Sequence, residues 1–186
     1  MTPAGVARGR PAVLTTERIV AAAVEVLDAE GLEALTMRRV GTRLGVAAMS
    51  LHRHFPDRDT LLAKVVSGLF AEAVADYAPE TAWPEALAGF GVAYRRMLLA
   101  HPRAVPLIAA GPVDVELLTG LLSRFEAAGI ASRDALTAVQ SVGVYVLGHA
   151  LAQVGEAHDE AALAFYDQWF DSGLLAMVTG FEHQLV

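Results

Sequence analysis

The chain has 186 residues, of which 54% are apolar, enough for a small domain joined to a larger one with a sizeable core. It contains no cysteine, which excludes disulfides and thiolate metal sites. No apolar run reaches the ~18 residues of a membrane span, and residues 1–13 lack the apolar stretch of a secretory signal, so a soluble cytoplasmic protein is expected. The net charge of −7 argues against a polyanionic partner only as an average. Residues 1–64 hold nine Lys/Arg against seven Asp/Glu, whereas residues 65–186 hold five against fourteen.

Alanine and leucine are abundant, apolar spacing follows the helical period, and no stretch alternates convincingly with period two. The expected fold is all-α. Residues 1–14, with Pro3, Gly5, Gly9 and Pro11, read as a loose basic arm. Thr15 or Thr16 can cap a first helix over Glu17 to Glu30, with Ile19, Ala23, Val26 and Leu27 on one face and Gly31 as its stop. Thr36 caps a short second helix that turns Met37, Val40 and Leu44 inward. Leu44-Gly45-Val46 is a tight turn, and a third helix is expected over about Ala47 to Phe55. Pro56-Asp57 breaks it, and a longer connecting helix, residues 57–78, follows. Ala78 to Trp83, flanked by Pro79 and Pro84, reads as the break before a second domain, residues 79–186. Its helices are expected near Glu85–Ala100, Ala104–Ala110, Val113–Ala128, Ser132–Val154 and Ala161–Leu185. Pro102, Pro106, Pro112, Gly129 and the stretch Gly155 to Asp159 punctuate them.

Two short helices around a glycine turn make a helix-turn-helix with the first helix, residues 15–56 in all. Val40, Leu44, Val46 and Leu51 would pack the pair, leaving Ala47, Ala48, Met49, Ser50, His52 and Arg53 outward. Small residues at the start of the third helix allow its backbone to approach a major groove. Ser50 can bond a base edge, and Arg53 can reach a guanine or a phosphate. From Ala34 to Pro56 there are four arginines, Arg38, Arg39, Arg43 and Arg53, two histidines and no acid. Such a patch on an acidic chain is a footprint for double-stranded DNA. The plain alternative, a solvated helix face, usually mixes both signs.

The stretch Thr16 to Val65 resembles the DNA-binding domain of the tetracycline-repressor (TetR) family. The matching features are the first helix beginning Ile19-Val20-Ala21-Ala22-Ala23, Glu30-Gly31, Leu35-Thr36-Met37-Arg38, Leu44-Gly45-Val46, His54-Phe55 and Leu61-Leu62. The resemblance implies a homodimer that binds operator DNA, usually to repress transcription. By position it makes Arg38 a base-contacting residue at the start of the second helix. It places Ala48, Met49, Ser50, His52, Arg53 and His54 at recognition-helix contacts, and Arg58 at a phosphate contact. One departure is His52, where most members have a tyrosine that packs and touches the phosphate backbone. In the arm, Arg8-Gly9-Arg10-Pro11 resembles the core of an AT-hook, whose arginines lie in narrow A·T-rich minor grooves. A tail with two incidental arginines is the alternative.

Tyr94 to Ala100, Ser141 to Gly148 and Gly173 to Leu185 are similar to the ligand-binding domain of tetracycline repressors. By position, Val74, Phe90, Leu107 and Leu121 fall where those proteins make polar drug contacts, and Leu107 replaces the histidine that holds the drug-bound magnesium. The resemblance therefore implies a small-molecule pocket rebuilt for a more apolar effector, with neither metal nor cofactor. Its candidate residues are Trp83, Phe90, Tyr94, Met97, His101, Leu107, Tyr145 and His149, apolar walls with a few polar groups. Plain core is the alternative for any single one, because Phe90, Tyr94 and Met97 stand at helical spacing. The last two long helices are the expected dimer helices, packing as a four-helix bundle between subunits. Gly143, Gly148, Ala138, Ala150 and Ala152 offer a small-residue face there.

Two other classes compete. An enzyme lacks support: the six histidines include no pair at His-x-x-x-His spacing, and there is no nucleophile elbow, phosphate loop or dinucleotide glycine pattern. A helical protein–protein adaptor fits the helical pattern but leaves the acid-free basic stretch unexplained.

Overall fold

A computed structural model describes residues 13–75, 82–111, 114–154 and 159–185. The Arg8–Pro11 motif, most of the expected inter-domain break, Pro112 and the Gly155 to His158 stretch lie outside the described residues. All regular structure among the described residues is helical: α1 (Thr16–Glu30), α2 (Met37–Leu44), α3 (Ala48–Leu51), α4 (Arg58–Ala75), α5 (Trp83–Ala100), a 3-10 turn at Pro102–Ala104, α6 (Val105–Ala110), α7 (Val115–Ala127), α8 (Ser132–Val154) and α9 (Glu160–Leu185).

Side-chain caps set several of the starts. Thr15 Oγ1 accepts from Arg18 N at 3.3 Å, and Thr36 Oγ1 accepts from Arg39 N at 3.2 Å. Asp57, Asp114 and Asp159 accept in the same way from Thr60, Glu116 and Leu117, and Ala162. Each cap satisfies backbone donors that a helix start leaves open. The α2–α3 turn has the shape its glycine dictates. Gly45 takes φ 70°, ψ 28°, the left-handed conformation that ends α2, and its N–H bonds back to the Gly41 and Thr42 carbonyls.

The third helix is shorter than the sequence implies. It covers Ala48–Leu51 rather than continuing to Phe55, and His52 to His54 form a turn. The Leu51 carbonyl accepts from both His54 N and Phe55 N at 2.9 Å, which tightens the chain there. Phe55 is thereby brought into the core, where it is buried with Leu51 and Leu61.

α1, α2 and α3 enclose Ile19, Ala23, Val26, Leu27, Leu35, Val40 and Leu51, all at most 1% exposed. α4 closes this core with Leu61, Leu62 and Val65. Its second half, with Leu69, Ala73 and Val74 buried, packs on α5 and α7 of the larger domain. One hydrophobic cluster thus runs through both parts of the molecule. α8 is central to the larger domain, packed on α5, α6, α7 and α9. By length and composition it could cross a membrane, but Ala135, Ala138, Val139, Val142, Val146 and Ala150 are buried inside the fold.

Candidate functional site

The expected nucleic-acid surface begins at the α2 N-terminus and continues through the α3 turn. Arg38 is exposed at the first turn of α2, and Arg53 is exposed in the turn after α3. Neither guanidinium has a hydrogen-bond or ion-pair partner among the described residues, although the Arg38 carbonyl accepts from Thr42 Oγ1 at 2.9 Å. Met49 is 76% exposed, an unfavourable place for a thioether in a lone monomer. Ala48, Ser50 and His54 are half-buried. His52 is exposed, and its Nδ1 stands 3.0 Å from the Pro56 carbonyl, so the bond locks the ring to the turn.

The basic stretch is acid-free in sequence but not in space. Arg39 grips Glu30 of α1 through Nε at 2.9 Å and Nη2 at 2.6 Å, and Arg43 meets Glu25 of α1 at 2.6 Å. The Arg39 guanidinium holds the Glu30 carboxyl below its usual range. Two of the four arginines therefore brace α2 against α1, and the Arg38 and Arg53 guanidiniums are left without a partner among the described residues. Arg58 is likewise committed within the fold. Its Nε donates to the Leu35 carbonyl at 2.6 Å and its Nη2 to the Leu32 carbonyl at 2.8 Å, tying α4 to the α1–α2 loop. A phosphate contact would have to share this guanidinium.

The larger domain contains a cavity of about 110 Å³ lined by Val66, Ser67, Phe70, Tyr94, Met97, Ile108, Gly111 and Asp114. A groove of about 430 Å³ shares Phe70, Tyr94, Ile108 and Gly111 with it and continues past Phe90 and Leu118 to Val139, Gln140, Gly143, Val144 and Leu147 of α8. Phe90 and Tyr94 stack at 5.8 Å, and Phe70 stands edge-on to both, at 6.4 and 5.7 Å. Burial pushes the Tyr94 hydroxyl up to about 12, so it stays protonated.

Of the residues expected to line a pocket, Phe90, Tyr94 and Met97 do so. The other five lie elsewhere. Trp83 is half-buried at the start of α5, and Leu107 packs on the core while its neighbour Ile108 lines the cavity. His101 Nδ1 reaches Asp28 Oδ2 of α1 at 2.7 Å, joining the end of α5 to the DNA-binding part. Tyr145 and His149 point to α9. The Tyr145 hydroxyl bonds the Trp169 and Phe170 carbonyls at 3.1 and 3.0 Å. His149 is buried among Tyr145, Tyr166, Trp169 and Phe170, and neither ring nitrogen has a hydrogen-bond partner. Burial, with Arg95 nearby, holds its pKa below the ordinary 6.5. Of the cavity residues the sequence reading omitted, Phe70 alone carried a signal, as an aromatic on the helix linking the two parts.

The small residues expected on one face of α8 divide. Ala138 and Ala150 are fully buried, whereas Gly148 and Ala152 are exposed. The outward stripe of α8 runs through Gln140, Val144, Gly148, Leu151 and Ala152, and α9 exposes Phe165 at 62%, Trp169 at 45% and Leu175 at 67%.

A helix-turn-helix carried by one long helix onto a larger helical domain, itself holding a side-chain-lined cavity, defines a class: regulators that join a DNA-reading head to a sensing body. The chain belongs to the TetR family, matching the bacterial regulatory proteins of the tetR family over residues 19–65 and the tetracyclin repressor-like C-terminal domain over residues 77–165. An HTH-type transcriptional regulator of Saccharopolyspora erythraea is 32% identical over 154 residues, covering 81% of this chain and 65% of that protein. The HTH-type transcriptional repressor DrrR1 of Streptomyces coeruleorubidus is 32% identical over 171 residues, covering 88% of this chain and 62% of that protein. The chain spans less than two thirds of the length of these two relatives. A TetR variant from Acinetobacter baumannii AYE, crystallised in complex with minocycline, superposes with a TM-score of 0.79 at 27% identity, covering 94% of this chain and 99% of that one.

Proposed function

We propose that this protein is a transcriptional repressor that binds a palindromic operator in double-stranded DNA as a homodimer and is released by a small, largely apolar effector. Residues 15–56 form the reading head, 57–78 the connecting helix and 79–186 the sensing and dimerising body. The carrying observation is the pair of uncommitted arginines, Arg38 and Arg53, beside the exposed α3 turn. Arginine in this position can bond guanine bidentately, and phosphate contacts then fix the register. The outward apolar stripes of α8 and α9 support the homodimer, and two recognition turns would enter successive major grooves about 34–36 Å apart. The cavity supports the effector. The minocycline seen in the Acinetobacter TetR variant occupies a related fold, and the aromatic walls here favour a ligand of comparable apolar area.

Operator binding by fluorescence anisotropy across a salt series tests this reading. Arg38→Ala is expected to cost about 1–3 kcal/mol at one base position without lowering the melting temperature. Arg58→Ala is expected to lower the melting temperature, because two carbonyls lose a charged donor worth about 1–3 kcal/mol. It lowers the salt slope by about 0.9 only if the same guanidinium also reaches a phosphate. Unchanged DNA affinity in Arg38→Ala and Arg53→Ala alike would favour the adaptor reading.

A further inference from the structure

The cavity's polar groups are few and unequal in charge. Ser67 and Tyr94 supply hydroxyls, and Gln140 supplies an amide at the far end of the groove. Asp114 is the one charged side chain that lines either space among the described residues; no lysine, arginine or histidine does. Its carboxyl is kept below its usual range by the Ser67 hydroxyl first, then by the backbone N–H groups of Leu117 and Glu116. It is therefore ionised at neutral pH. Oδ1 accepts both backbone bonds, each at 3.1 Å. The cation that bears on it, Lys64, lines neither space; it is exposed and borders the groove between α1 and α4.

Phe70 and Tyr94 line the cavity together with this carboxylate, and Phe90 lines the adjoining groove. Phe90 and Tyr94 lie parallel within 8°, and Phe70 meets them at 72° and 79°. Ring faces are the negative part of an aromatic quadrupole and attract cations. A half-exposed carboxylate at the mouth of an aromatic-walled space with no basic group attracts cations and repels anions.

Resting on the reading of this cavity as the effector site, we infer that its ligand class is the amphipathic aromatic cation. A planar ring system lies against Phe70, Phe90 and Tyr94, and a protonated amine turns toward the Asp114 carboxylate. The α7 dipole offsets part of the carboxylate's charge, so the preference is a discrimination between charge types rather than an absolute affinity.

Three tricyclic fluorophores of matched size supply the test with the full chain in the absence of DNA: 9-aminoacridine (cationic at neutral pH), 9-anthracenemethanol (neutral) and 9-anthracenecarboxylate (anionic). Binding is read by fluorescence quenching and by thermal shift. The cation is expected to bind about tenfold more tightly than the neutral probe, and the anion more weakly than either. Asp114→Asn, which keeps an α7 cap, is expected to abolish the cation's advantage while leaving the neutral probe's affinity in place. Equal binding of all three, or a cation preference that survives Asp114→Asn, overturns the charge assignment and leaves the cavity as an effector site. Failure of every probe to bind, with Phe90→Trp equally inert, removes the effector site and the charge assignment together.

Discussion

Gly41 shows how one missing methyl group permits the reading head. A Cβ at this position would stand 2.9 Å from the Val46 carbonyl and 3.3 Å from Ala48 N, both backbone atoms of the turn leading into α3. Neither can swing aside as a side chain could, so α2 and α3 would have to separate. Gly41→Ala is expected to destabilise the protein by about 1–3 kcal/mol, the usual range for overpacking. Operator affinity should fall further than stability alone accounts for, because the α2–α3 angle sets where Arg38 and Arg53 stand. Thermal melts and anisotropy on the same preparations check this; an unaltered melt would mean that the turn relaxes freely. Gly45, by contrast, was legible directly, because a glycine after Leu44 announces a left-handed stop. The Gly41 contact was not, because it depends on how closely two helices cross.

At the scale of helices, local rules carried the sequence reading far and side-chain pairing across elements limited it. Thr36, Asp57 and Gly31 mark boundaries through contacts within a few residues, and α8 and α9 begin and end within a residue or two of expectation. The basic stretch is less basic in space than in sequence, because Glu25 and Glu30 reach Arg43 and Arg39 from 18 and 9 residues away. Tyr145 and His149 were assigned to the pocket on their chemistry, but they share the α9-facing side of α8, whereas Val139, Gly143 and Leu147 face the groove. Burying His149 without a hydrogen bond has a consequence for stability against pH. Its folded-state pKa lies below 6.5, so the unfolded chain takes the proton first as pH falls. Stability is full above the ordinary value and declines as pH drops below it. His149→Phe, which keeps an aromatic ring in the nest of Tyr166, Trp169 and Phe170, is expected to flatten the fall in melting temperature between about pH 7 and pH 5. A variant that melts with the wild-type pH dependence would assign that dependence to other groups.

For the whole molecule, assembly and coupling follow from which surfaces remain unpartnered and which are tied. The outward faces of α8 and α9 hold Val144, Phe165, Trp169 and Leu175, exposed by 73%, 62%, 45% and 67%. Because a single chain leaves them in water, charges there should not unfold it. Phe165→Glu with Leu175→Glu is expected to yield a folded monomer by sedimentation, with operator affinity reduced because two linked heads no longer bind together. A doubly substituted chain that still sediments as a dimer would place the interface elsewhere.

Two material connections run between the cavity and the head in this fold. One is α4, whose first half packs in the head and whose second half supplies Val66, Ser67 and Phe70 to the cavity. The other is the His101–Asp28 bond, which ties the end of α5 to α1 near the 3-10 turn that α1 also touches. A ligand wedged between α4 and α5 would strain both, since Tyr94 and Met97 of α5 form the opposite wall. If the bond transmits that strain, Asp28→Ala and His101→Ala should leave ligand affinity of the free protein nearly unchanged. They should reduce the ligand's effect on operator affinity, from the ~5–150-fold typical of such coupling toward onefold. The measurement is a four-corner cycle: each protein with and without operator, with and without a ligand identified by thermal shift. Linkage requires the same factor in both directions, so operator must weaken the ligand equally in every variant. A coupling factor that survives loss of the bond would leave α4 as the sole carrier, and substitutions along its middle, at Val66 or Leu69, would then be the ones that uncouple the two sites.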